Sequence, residues 1–317
     1  VIDSFAKSVQ LGSGLEKTGK LSRDSMNRTI QALKVCKQKL DKYDVKYSRL
    51  IATEACRRAK NSKDFILKVF QETGLKLNII DTEEEARLAV ISCAPLVSSK
   101  SEQLLVVDIG GGSTELVWID LSAVPSHERP KSIMRLHSGF HSIESPFPAA
   151  RVVDWISVPL GVATLRDQFN DVEDDAARFA LMSWYFEEKL TDFAPYKDNK
   201  IDTSFQIIGT SGTVTTVASS HLGLRRYDRT KVDGLRMTTD QIDKVIRSYL
   251  EMGPDGRKKD PRIGRDRQAL IMSGSAILQA MLRSWPTDKL TVADRGLREG
   301  LLYAQMSANG VLEDVIL

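Results

Sequence analysis

The chain has 317 residues and a mass of 35.3 kDa, more than one ordinary hydrophobic core holds, so about two domains are expected. Hydrophobic residues at 42% and charged residues at 27% exclude a disordered chain, and no apolar run approaches the roughly 18 residues of a membrane helix. A net charge of +3 with a pI near 8.6 argues against a duplex nucleic-acid binder, and three cysteines without metal-ligand spacing fit a reduced, cytoplasmic setting.

In chain order, Phe5 to Leu11 reads as a strand and leads into Gly12-Ser13-Gly14. An amphipathic helix follows from Ser25 to about Lys42, with Met26, Ile30, Leu33, Cys36 and Leu40 on one stripe. Tyr47–Thr53 reads as a strand, Ala55–Ala59 as a short helix, Asp64–Glu72 as a helix stopped by Gly74, and Leu75–Ile80 as another strand. Gln103–Ile109 is a nearly unbroken apolar run of the kind buried on both faces, and Glu115–Ile119 resumes as strand after Gly110-Gly111-Gly112. Residues 122–159, with five of the ten prolines, read as a long and partly irregular excursion. Further helices are expected over Asp174–Thr191, Thr239–Met252, Arg267–Ser284 and Leu297–Gln305, with strands at Phe205–Ile208 and Leu290–Ala293. Strands alternating with helices imply an α/β layer architecture.

Two segments repeat one design about a hundred residues apart: an apolar strand running into a Gly/Ser/Thr loop, at Gly110–Thr114 and at Gly209–Thr213. Glycines let backbone N–H groups approach an anion, and Ser113 and Thr114 add hydroxyls. Asp108 and Glu115 flank the first loop and are suited to Mg²⁺, which takes one or two carboxylates beside substrate oxygens. No Lys follows the glycines and no GxGxxG opens a helix, so neither a P-loop nor a Rossmann fingerprint is present. The second loop, with Gly209, Thr210, Ser211, Gly212 and Thr213, precedes a helix; it suits either an anion at the helix terminus or a plain capped helix. Glu83-Glu84-Glu85 begins a helix after Thr82, where Thr82 and Glu85 match a capping box, although Glu85 could also serve as a base for water. Six Lys/Arg between Arg257 and Arg267, and a second group at Arg225, Arg226, Arg229 and Lys231, suit either a polyanion track or a solvated surface. His127, His137 and His141 lack metal-ligand spacing and read as surface histidines.

Residues 104–117, Leu-Leu-Val-Val-Asp-Ile-Gly-Gly-Gly-Ser-Thr-Glu-Leu-Val, resemble the central motif of the exopolyphosphatase/guanosine pentaphosphate phosphohydrolase (Ppx/GppA) family. Further resemblances lie at Thr53–Ala59, Asp81–Leu88, Gly209–Thr213, Ser273–Leu278 and Asp294–Gly300, in the family's order. The resemblance implies two α/β actin-like domains of the acetate kinase/sugar kinase/Hsp70/actin superfamily with a cleft between them. They are expected at 1–95 and 96–317, with the last helix packing back on the first. It implies Glu85 as the base for the attacking water and Asp108 and Glu115 as Mg²⁺ ligands. It further implies phosphate contacts from Arg57, from Gly110, Gly111, Gly112, Ser113 and Thr114, and from the second loop.

The implied reaction is release of a terminal phosphate from inorganic polyphosphate or guanosine pentaphosphate, with a homodimer as the implied assembly. A non-catalytic sensor of polyphosphate or guanosine tetraphosphate is the alternative, and a phosphotransferase of the same superfamily a third. The family's opening D-x-G-S-x-S hairpin has no counterpart near Val1, so residues 1–11 are expected to match a later strand, and either the hairpin belongs to sequence before Val1 or the first domain lacks one wall. Gln268-Ala269 stands where many relatives have Ala-Asp, and the long form's C-terminal domains have no counterpart after Leu297–Gln305.

Overall fold

A computed structural model describes residues 2–140, 149–197, 201 and 204–311. The chain divides into two compact units, Val1–Thr82 and Glu83–Leu317.

In the first unit, α1 (Leu15–Thr18) precedes α2 (Arg23–Lys42), whose N-cap Ser22 accepts the Ser25 N–H at 3.1 Å. The expected stripe turns inward: Ile30 is buried, and Met26 and Leu33 pack with Phe65 and Val69 of α4 (Ser62–Thr73). Gly74 ends α4 with φ 70°, a left-handed conformation glycine adopts without strain. Between these helices lie β1 (Leu50–Ala52) and α3 (Glu54–Arg58), and after α4 comes β2 (Leu77–Ile79), which pairs parallel with β1. The strand expected at Phe5–Leu11 does not form. That stretch pairs with no strand among the described residues, and its apolar members Phe5, Val9 and Leu11 are half-buried as loop.

The second unit opens with α5 (Thr82–Ser92), which the expected boundary at residue 95 had placed in the first domain. Its buried Ala86, Leu88, Ala89, Val90 and Ile91 explain the difference, because the helix is packed on several sides at once. Its sheet has the order β5-β4-β3-β6-β8-β7. β3 (Gln103–Ile109), β4 (Thr114–Asp120) and β5 (Arg151–Val158) form an antiparallel meander. β6 (Phe205–Thr210) and β8 (Leu290–Ala293) continue it parallel to β3, and β7 (Arg236–Met237) closes the far edge. β5 falls inside the excursion expected to be irregular. It is an edge strand with most residues half-exposed, so its sequence lacks the continuous apolar run that marks β3. Short α6 (Arg129–Met134) lies in the same excursion.

Helices α7 (Val162–Gln168), α8 (Asp175–Glu188), α9 (Ala194–Lys197), α10 (Gly212–His221), α11 (Arg229–Val232), α12 (Thr239–Lys259), α13 (Ile271–Ser284) and α14 (Leu297–Ala308) complete the unit. Its core joins Leu105 and Val107 of β3 and Ile207 of β6 to Phe186 of α8 and Ile277 and Met281 of α13. Trp118 stacks on Phe205 with ring centroids 4.9 Å apart. α14 crosses α5 so closely that a Cβ on Gly300 would lie 1.9 Å from the Leu88 carbonyl oxygen. Among the described residues no helix is long and apolar enough to cross a membrane. Burial pushes the Cys56 and Cys93 thiols up to about 11 and about 12, which makes them packing groups.

Candidate active site

Parallel strands end together. Asp108 of β3 lies beside Thr210 of β6, and Thr210 beside Ala293 of β8, so the loops at 110–113, 211–212 and 294–296 emerge side by side from one end of the sheet.

The first loop is a tight turn in which Gly110 N–H donates to Ser113 O at 2.9 Å. Its carbonyls are taken by the start of α7: Val162 N–H donates to Gly110 O (3.0 Å), Ala163 N–H to Gly111 O (2.9 Å) and Thr164 Oγ1 to Gly112 O (3.2 Å). Gly161 makes this approach possible, because a Cβ there would sit 2.4 Å from Gly110 O and 2.6 Å from Gly112 N. Its φ of −115° is open to any residue, so the requirement is space. With the carbonyls drawn to α7, the N–H groups of Gly111, Gly112 and Ser113 carry no hydrogen bond among the described residues. Three successive free N–H groups form a concavity suited to an anion.

Around this loop three acids gather. Asp108 and Glu115 are directly opposed partners in the β3–β4 ladder, which puts both side chains on one face of the sheet. Glu85, in the first turn of α5, is buried and acts electrostatically on both. Burial, and after it the Glu85 charge, raises the Asp108 carboxyl to about 7. Burial, then the charges of Glu85 and Asp108, raises Glu115 to about 8, against the opposing hydroxyls of Ser113 and Ser157. Ser157 donates to Glu115 Oε1 at 2.8 Å.

No cation appears among the causes acting on Asp108 or Glu115, so no positive charge among the described residues offsets the pair when it ionises. Hard oxygen donors of this kind fit Mg²⁺. No group of three or more His, Cys, Asp and Glu among the described residues is placed to hold one ion. An ion bound by Asp108 and Glu115 would therefore complete its shell with water and ligand oxygens.

The second loop is shared between capping and an opening. Ser211 Oγ accepts the N–H groups of Thr213 (3.1 Å) and Val214 (3.0 Å), so it caps α10, while the N–H groups of Ser211 and Gly212 carry no hydrogen bond among the described residues. Gly209 and Thr210 belong to β6; Gly209 packs on Val214, and Thr210 Oγ1 donates to the Arg295 carbonyl. Thr213 is buried against Gly274 of α13. In the first loop, buried Thr114 spends its hydroxyl on Leu160 O at 2.8 Å. The hydroxyls of Thr114 and Thr210 thus hold the loops in place, and the Thr213 side chain packs on α13.

Arg57 lies in the first unit, where its guanidinium donates to Ile80 O (3.0 Å) and Glu54 Oε2 (3.0 Å). Sequence reasoning overlooked Gly161 and Ser157, and it counted Arg267 only within a charge run. A Cβ on Gly212 would fall 1.3 Å from Arg267 Nη1, so the guanidinium lies directly on the loop backbone, beside a cavity of about 250 Å³ that Ser211, Thr215 and Gly296 also line. The G-T-S-G-T spacing reveals the loop, but a cation reaching it from 55 residues away leaves no local signal.

The basic clusters divide on inspection. Arg229 donates to Asp294 O at 2.6 Å, Arg262 pairs with Asp260 at 2.6 Å, and Arg257 is buried in a bidentate pair with Asp175. His127 is exposed near Glu128, His137 is half-buried, and His141 lies outside the described residues.

Residues 1–309 match the Ppx/GppA phosphatase family. A guanosine-5'-triphosphate,3'-diphosphate pyrophosphatase from Aeromonas salmonicida is 26% identical over 308 residues, covering 97% of this chain and 55% of its own length. A bifunctional 3-dehydroquinate synthase/phosphatase from Fusobacterium nucleatum is 26% identical over 306 residues, covering 90% of this chain and 39% of its own. The chain thus spans about half or less of the length of these curated relatives. A crystal structure of the Aquifex aeolicus Ppx/GppA family member superposes with a TM-score of 0.72 at 30% identity, covering 96% of this chain and 88% of the other.

Proposed function

The chain belongs to the Ppx/GppA phosphatase family and has its actin-like α/β fold, and from that premise we propose that it hydrolyses the terminal phosphoanhydride of an oligophosphate. The candidate substrates are inorganic polyphosphate and guanosine pentaphosphate. The observation that carries this reading is the cross-strand pair of half-buried Asp108 and buried Glu115, with buried Glu85, beside three N–H groups of a glycine turn that carry no bond among the described residues. Phosphoryl transfer asks a protein chiefly for positioning and charge neutralisation.

In this reading the N–H groups of Gly111, Gly112 and Ser113 bind the non-bridging oxygens of the terminal phosphate. Those of Ser211 and Gly212, with the Arg267 guanidinium, bind the adjoining phosphate. Asp108 and Glu115 would hold Mg²⁺, which when bound neutralises oligophosphate charge. Glu85 accepts the proton of the attacking water, and its place in the first turn of a packed helix fixes the carboxylate's direction.

The test is phosphate release from polyphosphate and guanosine pentaphosphate, side by side, with Mg²⁺ and with a chelator. Release that requires Mg²⁺ and falls about 100-fold or more in Glu85→Gln with binding retained is the expected result. Tight binding of both substrates without release would refute hydrolysis and leave a sensor.

A further inference from the structure

Away from the two loops, the second unit holds a strongly basic pocket that the proposed reaction does not use. Its origin is a break in α12. Gly253 adopts φ 63° and ψ 178°, and Pro254 follows, so the last turns of the helix change direction. The redirected piece brings Arg257 and Lys258 over the start of α8. There Arg257 donates to both Asp175 oxygens at 2.7 and 2.8 Å and to Tyr249 O at 2.7 Å.

Between this piece, α7, α8 and the turn before α13 opens a cavity of about 370 Å³, within the range of ligand sites. Arg166, Arg178, Arg257, Lys258 and Arg265 line it, and Asp175 is the one acid among its lining residues. Three of these charges are matched nearby: Arg257 by Asp175, Arg166 by Asp167 at 2.5 Å, and Lys258 by Asp255 at 3.3 Å. Arg178 pairs with no carboxylate among the described residues. Its Nη2 donates to Glu173 O at 3.3 Å, and its Nε is buried without an acceptor among the described residues. The Arg265 side chain makes no hydrogen bond or ion pair among the described residues. A buried guanidinium N–H without an acceptor is costly, and an anionic oxygen offsets that cost.

The pocket adjoins both loops. Ser273 on its wall donates to Val162 O at 2.6 Å, and the same residue's N–H donates to Gly110 O. Arg267, two residues beyond Arg265, lies on Gly212. We propose that this pocket is a second anion subsite, holding trailing phosphates of an inorganic polyphosphate chain whose end occupies the glycine loops. The inference rests on the oligophosphate reading above and narrows it to the inorganic chain. Among the described residues no aromatic side chain lines the cavity, which gives it no stacking platform of the kind a single-stranded nucleic acid uses. A phosphate chain needs only successive cations.

Equilibrium binding of long-chain polyphosphate and of tripolyphosphate to the full chain, with a chelator present to prevent turnover, tests it. Arg178→Gln/Arg265→Gln is expected to weaken long-chain binding about tenfold, to flatten its salt dependence and to leave tripolyphosphate binding unchanged. Arg178→Lys/Arg265→Lys restores long-chain binding if charge is the cause. Unchanged long-chain affinity in the Gln variant overturns the inference, as does equal loss in the Lys variant. Displacement of the chain by single-stranded RNA or guanosine tetraphosphate as effectively as by unlabelled polyphosphate overturns the choice of occupant. Chain binding lost in the Gln variant of a protein that never releases phosphate sinks hydrolysis alone, while normal phosphate release with unaltered chain binding sinks the subsite alone.

Discussion

Replacing Glu115 by Gln removes one of three acids crowded into a buried space, keeps the side chain's shape, and leaves Ser157 an oxygen to donate to. The Glu115 carboxyl stands at about 8 in the fold against an ordinary 4.5, a rise of about 3.5. Each unit corresponds to about 1.4 kcal/mol, so holding Glu115 ionised in the metal-free fold costs up to about 5 kcal/mol. The sign follows from proton counts. Between about pH 4.5 and 8 the unfolded chain has released a proton that the folded chain keeps, so wild-type stability falls as pH rises through that window and levels above it. Urea unfolding in a chelator from pH 5 to 9 measures this. The expected outcome is near-equal stability of wild type and Glu115→Gln at pH 5, and a variant more stable by a few kcal/mol at pH 9. Adding Mg²⁺ at pH 9 should then stabilise the wild type more than the variant. A wild-type midpoint independent of pH, or two parallel pH profiles, would refute the electrostatic account of this site.

Gly161→Ala should cost about 1–3 kcal/mol in thermal or urea unfolding, because its Cβ meets the backbone of Gly110–Gly112, which cannot move aside as a side chain could. It should weaken oligophosphate binding as the loop is pushed out of shape, and wild-type affinity in that variant would refute the loop's role. Arg267→Gln, by contrast, leaves stability nearly unchanged, since the side chain is exposed, and weakens oligophosphate binding about tenfold or more in a direct titration. Unaltered affinity there would remove Arg267 from the site.

Much of this was legible in the sequence because it is local. The apolar run of β3, the three glycines and the flanking acids identify a loop and its carboxylates without any partner in view, and the family motifs place Glu85 with them. Other features were hidden for reasons that can be named. β5 is a half-exposed edge strand without a continuous apolar pattern. The segment Phe5–Leu11 has strand-like residues, yet it pairs with no strand among the described residues. Thr114, Thr210 and Thr213 offer hydroxyls beside the loops, and only the fold shows that those of Thr114 and Thr210 bond neighbouring carbonyls while Thr213 packs against a helix.

The chain's own order of residues thus determined the α/β class, the family, the two glycine loops and the acids available to them. Only the tertiary structure decided which way the loop N–H groups are turned, since that depends on α7 claiming the carbonyls of residues 110–112 across a gap of fifty residues. It likewise decided that Arg267 joins Gly212 while Arg265, two positions away, faces a separate basic pocket. Backbone direction and charge proximity are set by packing between distant segments, and no local pattern of residue types records them.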